Sequence, residues 1–220
     1  RAGRLMLEEI ARHAAEGHEP AVAGDVREPA GMIGLIAGGV DAGSAYVVVR
    51  AGTIWTEQAK LTTRAAAHDT FGVSVAISGD TAIVGAYLND GVTTDAGAAY
   101  LFDRTGSVWT SPGNNIAPPG QLAASDFFGY SVALSGNTAV VGAYGDDLLS
   151  GTVTDAGSAY VWVRSGTVWF SEGRLYDPDA SINDRFGTSV AVWGDRAVVG
   201  QHFDDAGGPD AGSAFIFFDP

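Results

Sequence analysis

Across residues 128–135 (FGYSVALS) large apolar and small side chains alternate, the period-two pattern of a strand whose two faces differ. Gly136-Asn137 follows, a pair suited to a two-residue hairpin in which both central residues take positive φ. Residues 138–144, TAVVGAY, form the return strand, and their apolar run predicts burial on both faces. An acidic, glycine-bearing loop leads to a third strand over 157–164 (GSAYVWVR), a Ser-Gly turn and a fourth strand over 167–171. The pattern predicts a four-stranded antiparallel meander.

The same pattern recurs. DTFGVSVAISGDTAIVGAY starts at Asp69, DFFGYSVALSGNTAVVGAY at Asp126 and DRFGTSVAVWGDRAVVGQH at Asp184, spacings of 57 and 58 residues. Asp-Ala-Gly followed by small residues and an aromatic occurs four times, from Asp41, Asp95, Asp155 and Asp210, and Gly-x-x-Trp ends at Trp55, Trp109 and Trp169. Landmarks in constant order at a fixed period mark a repeat architecture. In the best-defined copy the strands are expected near 71–78, 81–87, 97–104 and 107–111.

A repeated meander of this length fits the blade of a β-propeller, whose sheets pack radially about an axis. A β-solenoid is the alternative, although its repeats are usually shorter. Small residues such as Ser131, Ala133, Gly142 and Ala143 suit the crowded positions near the axis, and Tyr160, Trp162 and Trp169 suit the wider part of a wedge-shaped blade. Phe71, Phe128 and Phe186 are expected to be buried. The fold class is therefore all-β. Strand counting suggests a partial blade at 33–68, blades at 69–125 and 126–183, and a partial blade at 184–220, together an incomplete arc of a larger propeller.

Residues 1–32 lie outside the repeat. Leu7, Ile10, Ala11 and Ala14 form a short helical stripe with Gly17 as a stop, and Pro20 and Pro29 mark loops, so this stretch is expected to be helical or irregular. The opening at Arg1 reads as that of a fragment or a processed chain.

Composition narrows the function. A net charge of −14 with one lysine, Lys60, and no basic cluster leaves no surface for phosphate backbones and excludes a nucleic-acid partner. The absence of cysteine removes disulfides and thiol catalysis. No stretch approaches 18 consecutive apolar residues, so no membrane insertion by a helix is expected, and no signal peptide is visible. Catalytic signals are also missing: His13, His18, His68 and His202 occupy unrelated places in the repeat, and Ser74, Ser131 and Ser189 recur in every copy as a structural position would.

The pairs Phe71-Gly72, Phe128-Gly129 and Phe186-Gly187, with the later triplets at 85–87 and 142–144, resemble the FG-GAP repeats of integrin α-subunit propellers and bacterial surface proteins, with Tyr in place of the final Pro and a worn third copy at 200–202. The resemblance covers about residues 33–220 and implies an extracellular or cell-surface, non-enzymatic adhesion or interaction module that works beside the remaining propeller repeats of a larger parent chain. Calcium-binding members carry an Asp-x-Asp-x-Asp-Gly type loop in the first hairpin. Here that hairpin is only SGDT, SGNT or WGDR, too short to wrap the ion, so this activity does not transfer.

The acidic loop between the second and third strands is the remaining candidate. It brings Asp90 and Asp95, then Asp146, Asp147 and Asp155, then Asp204, Asp205 and Asp210 to one rim. Two readings stand: each Asp before Ala-Gly closes an Asx-type turn, or the carboxylates form a cation site, calcium being the ion such oxygen ligands suit. Loops on a rigid scaffold are also natural binding surfaces. The expected function is binding of a protein or carbohydrate partner through these acidic rim loops; the alternative is a scaffold portion of a secreted hydrolase or lyase whose catalytic residues lie elsewhere.

Overall fold

The computed structural model describes residues 20–22, 30–35, 42–63, 67–111, 115–118, 122–148 and 151–218. Its strands form four antiparallel sheets. Blade 1 comprises β1 (Pro20–Val22), β2 (Ala30–Leu35), β3 (Ser44–Ala51) and β4 (Ile54–Leu61). Blade 2 comprises β5 (Val75–Ser78), β6 (Thr81–Ala86), β7 (Ala98–Thr105) and β8 (Val108–Thr110), with the short β9 (Asn115–Ile116) also on β7. Blade 3 comprises β10 (Ser131–Ser135), β11 (Thr138–Ala143), β12 (Ser158–Ser165) and β13 (Val168–Leu175), and blade 4 comprises β14 (Phe186–Trp193), β15 (Arg196–Gln201) and β16 (Ser213–Phe218). Strands pair in chain order within each sheet; β5, β10 and β14, the first strands of blades 2, 3 and 4, lie side by side in that order, and β5 meets β2 of blade 1. This is the arrangement of β-propeller blades. Single bridges (Gly43 with Phe71, Gly97 with Phe128, Gly157 with Phe186) and a shared core join each blade to the next, and among the described residues neither joins blade 4 back to blade 1, so the sheets form an open arc.

Several expectations need correcting. Blade 1 is four-stranded rather than partial, because β1 and the start of β2 fall within residues 1–32; Pro20 sits in the edge strand, where its missing N–H costs no ladder bond. The helical stripe near residues 4–15 lies outside the described residues. The first strands of blades 2 and 3 start later than expected, at Val75 and Ser131, since the preceding Phe-Gly segments bond to the neighbouring blade. In the first hairpins only the glycine takes positive φ (Gly79 58°, Gly136 56°, Gly194 57°), while Asp80, Asn137 and Asp195 do not; the turn follows the II′ pattern with Gly first.

The core lies between blades, one cluster per interface. Val47 and Leu61 of blade 1 meet Phe71, Val84 and Phe102 of blade 2; Ile83 and Leu101 of blade 2 meet Phe128, Val141 and Trp162 of blade 3; Val140 and Ala159 of blade 3 meet Phe186 and Val199 of blade 4. Phe71, Phe128 and Phe186 are all fully buried, as expected. Burying such a ring contributes about 1.5–3 kcal/mol.

The landmarks that looked separate in sequence prove to be two halves of one joint. The Phe128 amide donates to Ala96 O at 3.0 Å, and that of Phe186 to Ala156 O at 2.8 Å, so each Phe-Gly segment bonds to the Asp-Ala-Gly segment of the blade before it. Gly157 takes φ +82°, and a Cβ there would lie 2.1 Å from Phe186 O, which is why this position is glycine. The recurrent serine completes the joint: Ser74 Oγ donates to Gly129 O at 2.8 Å and Ser131 Oγ to Gly187 O at 2.7 Å.

Candidate functional site

The joints place the acidic loops and the Phe-Gly loops together on one rim. Within each acidic loop, one carboxylate organises the backbone. Asp90 accepts from the Asp95 amide at 2.8 Å, Asp147 from the Asp155 amide at 2.9 Å and Asp205 from the Asp210 amide at 2.8 Å. The Asp before Ala-Gly therefore does not close an Asx turn with its own side chain. It supplies the amide, and it occupies positive φ (53°, 50° and 50° at Asp95, Asp155 and Asp210), a conformation Asp tolerates better than most residues. True Asx contacts, two residues apart, occur one step earlier, from Asn89 to the Gly91 amide at 3.0 Å and from Asp204 to the Ala206 amide at 2.9 Å. Among the described residues no three His, Cys, Asp or Glu side chains come together in a way that could hold a metal ion.

Blade 3 carries a further polar cluster behind the rim. The buried Asp146 accepts from Tyr160 OH at 2.6 Å, from the Ser158 hydroxyl, and from Arg174 Nη2 at 3.0 Å, and Arg174 also donates to Asp147 O at 3.0 Å. In blade 2 the position of Asp146 is taken by Asn89, whose amide donates to Asp69 at 2.9 Å. The position of Asp69 recurs as Asp126 and Asp184, each buried and each capping a backbone amide: Ala123 N to Asp126 and Ser181 N to Asp184, both at 2.6 Å. Burial, with smaller contributions from Asp146 and Asp147, pushes the Asp126 carboxyl up to about 7. Burial likewise raises Asp146, against the pull of its Ser158, Tyr160 and Arg174 donors.

An aromatic cluster faces the same rim. Tyr130 meets Tyr144 edge-on at 4.6 Å between ring centroids and Tyr87 at 5.3 Å, and Phe127 stacks on Tyr144 at 4.9 Å. The Arg185 guanidinium lies 5.5 Å over the other reach of Tyr144 and 5.1 Å over Phe203. All four rings are half-buried. Burial raises the Tyr87 and Tyr144 hydroxyls, with Tyr130 and then the carboxylates of Asp95 and Asp155, respectively, adding to this. The Phe127 amide donates to Asp95 O at 3.2 Å, so the aromatic cluster adjoins the acidic loop. Sequence reasoning noticed only that Tyr replaces Pro in two of these triplets. The signal that would have found the cluster is the addition of Phe127 and Tyr130 on either side of a Phe-Gly pair, where the neighbouring copies have Thr70 and Val73 or Arg185 and Thr188.

The catalytic candidates stay apart. His202 Nδ1 lies 3.0 Å from Thr188 Oγ1, and that hydroxyl donates to Arg185 O at 2.6 Å, so no carboxylate orients the ring. Ser74 and Ser131 serve the blade joints. His13 and His18 lie outside the described residues.

Comparison with known proteins gives the FG-GAP repeat as the matching family, over residues 55–102, 119–162 and 169–217. No curated protein sequence matches. Similar solved structures include a variant of the Aleuria aurantia lectin in complex with alpha-methyl-L-fucoside, at 12% identity and a TM-score of 0.49 over 90% of this chain and 60% of the lectin. Another is the GH43 endo-arabinanase from Bacillus licheniformis, at 12% identity and a TM-score of 0.45 over 92% of this chain and 75% of the enzyme. The chain spans 60% of the length of that lectin.

Proposed function

Because the chain belongs to the FG-GAP repeat family, we propose that it is a non-enzymatic binding module of extracellular or cell-surface type that presents the rim of blades 2 to 4 to a carbohydrate or protein partner. The observation that carries this reading is the half-buried cluster of Tyr87, Phe127, Tyr130 and Tyr144 beside the acidic loops. Rings of this kind offer an apolar platform at low entropy cost, with hydroxyls for orientation. Flanking Asp95 and Asp155 supply acceptors for sugar hydroxyls or for the cationic groups of a protein segment, and the net charge of −14 favours approach of a cationic one. The outer face of blade 4 supports the further reading that additional propeller repeats pack beside it.

A titration followed by tyrosine side-chain NMR tests the proposal, with a panel of neutral and amino sugars and a lysine-rich peptide as probes. One class of probe should shift Tyr130 and Tyr144, and Tyr144→Ala should weaken binding at least about tenfold, the scale expected for loss of an aromatic anchor. Binding that ignores Tyr144→Ala, or no response to any probe, would sink it.

A further inference from the structure

Arg185 differs from the arginines around it in having no counter-charge. Arg104, Arg164, Arg174 and Arg196 form ion pairs with Asp80, Asp103, Asp146 and Asp195, respectively. Among the described residues the Arg185 guanidinium has neither an ion pair nor a hydrogen bond, and its Nε is buried without a partner. Acidic residues outnumber basic ones 26 to 12 in this chain, so an unpaired arginine beside acidic loops runs against its composition. A buried donor without an acceptor is destabilising, and its retention points to an acceptor from outside the chain.

The fold holds this side chain at the rim. Thr70, Phe127 and Arg185 share the position before the Phe-Gly pair, each at positive φ (56°, 57° and 58°). The Arg185 amide donates to Asp155 O at 3.1 Å, which ties the residue to the joint between blades 3 and 4. Those two blades share a core there, so the guanidinium lies inside the arc and not at its end. It packs over Tyr144 and over Phe203, contacts with ring faces that leave its N–H groups, all in its own plane, able to grip both oxygens of a carboxylate.

The surroundings narrow the ligand. Burial is the main influence on the Tyr144 hydroxyl and raises it, while Arg185 pulls it down and Asp155 pushes it up, so one ring lies within reach of a cation and of an acceptor. A ligand that carries both a carboxylate and hydroxyl donors meets the two together. The net charge of −14 opposes a polyanion and favours a single carboxylate on an otherwise neutral molecule. Adjacent hydroxyls of a sugar ring can donate in pairs to one carboxylate, which the side chain of a glutamate cannot do.

Resting on the reading of this rim as a binding surface, we propose that Arg185 recognises the carboxylate of an acidic sugar, a terminal uronic acid whose hydroxyls donate to Asp155. The test titrates the nitrogen-labelled chain with methyl glycosides of glucuronic and galacturonic acid, each beside its neutral glucoside or galactoside. One uronide should bind at least about tenfold more tightly than its neutral counterpart, the scale of hydrogen bonds to a charged group, and should shift the Arg185 Nε–H resonance. Arg185→Gln should bring that preference close to one while keeping the neutral sugar bound, and Arg185→Lys should recover only part of it, because a point charge lacks the fork. Equal binding of uronide and neutral sugar, an unmoved Arg185 Nε–H, or a preference that survives Arg185→Gln overturns the proposal and leaves the rim a binding surface for neutral sugars. Equally tight binding of N-acetylglutamate amide also overturns it, since a peptide then supplies the carboxylate. Silence from every probe overturns the binding reading itself, and this proposal with it.

Discussion

Blades 3 and 4 share their motifs position by position and differ in what lies outside them. On β11 both Val140 and Val141 are fully buried, whereas on β15 Val199 is fully buried and Val198 is 39% exposed. Ser131 reaches the backbone of the next blade, while its counterpart Ser189 is exposed. A Cβ at Gly142 would lie 2.0 Å from Gly187 O; at Gly200 the nearest atom is the Ser189 hydroxyl at 2.3 Å, a side chain of the same blade. The apolar pattern of the repeat is thus a pattern for two neighbours. A blade with one neighbour keeps half of its buried surface, which is why such units do not stand alone.

The largest effect expected from this comparison falls on the interface that is complete. Phe128 lies fully buried between blades 2 and 3 and meets Tyr160 edge-on at 5.6 Å. Phe128→Ala should cost about 3–5 kcal/mol through lost transfer free energy and the cavity left behind, measured by urea unfolding. A loss below about 1 kcal/mol would mean that the blades do not depend on each other as the core clusters indicate.

A second contrast is electrostatic. Asp184 of blade 4 accepts from Gln201 Nε2 at 3.0 Å, but in blade 3 the position of Gln201 is Ala143, which cannot donate, and Asp146 stands nearby. The Asp126 carboxyl is therefore raised from 3.8 to about 7, by burial above all. A folded value above the unfolded one means that the native state holds a proton the unfolded chain has released. The resulting stabilisation is complete below the unfolded value, fades as pH climbs toward about 7 and is gone above it. Asp126→Asn keeps an acceptor for the Ala123 amide and removes the charge. Thermal unfolding from pH 4 to 8 should show a flatter profile for the variant, with its gain over the parent largest at pH 8. A parallel profile would show that Asp126 titrates in its ordinary range.

Much of this was legible in the chain. The period, the meander, the burial of the three phenylalanines and the double-sided burial of TAVVGA all follow from local pattern, because strand alternation and turn glycines are written in adjacent residues. Blade 1 was under-read, since β1 is three residues long and contains Pro20, which carries little strand signal. The rim chemistry was legible only in part. That Asp147 bonds the Asp155 amide across eight residues, or that Phe127 stacks on Tyr144, depends on loop paths and on the joint between blades, and no spacing rule encodes either. The role of Asp-Ala-Gly was likewise invisible until its partner, the Phe-Gly of the next blade, was found beside it.

The smallest effect on stability, and the most telling for the comparison, concerns the bare side of blade 4. Trp193, Ile216 and Phe218 are 73%, 60% and 63% exposed. In blade 3 the position of Ile216 is Val161, which packs against blade 4. An apolar sheet face next to an unpaired edge strand favours association with other chains. The chain should therefore self-associate in sedimentation velocity at micromolar concentration, and Ile216→Lys should shift it toward monomer. Because Ile216 has little surface left to lose, the same variant should change the unfolding free energy of the monomer by less than about 0.5 kcal/mol, as surface substitutions do. A monomer from the parent chain would mean that this face is shielded by contacts other than a neighbouring blade. A large loss of stability in the variant would mean that the face is packed within the chain itself, and the difference between blades 3 and 4 would then lie elsewhere.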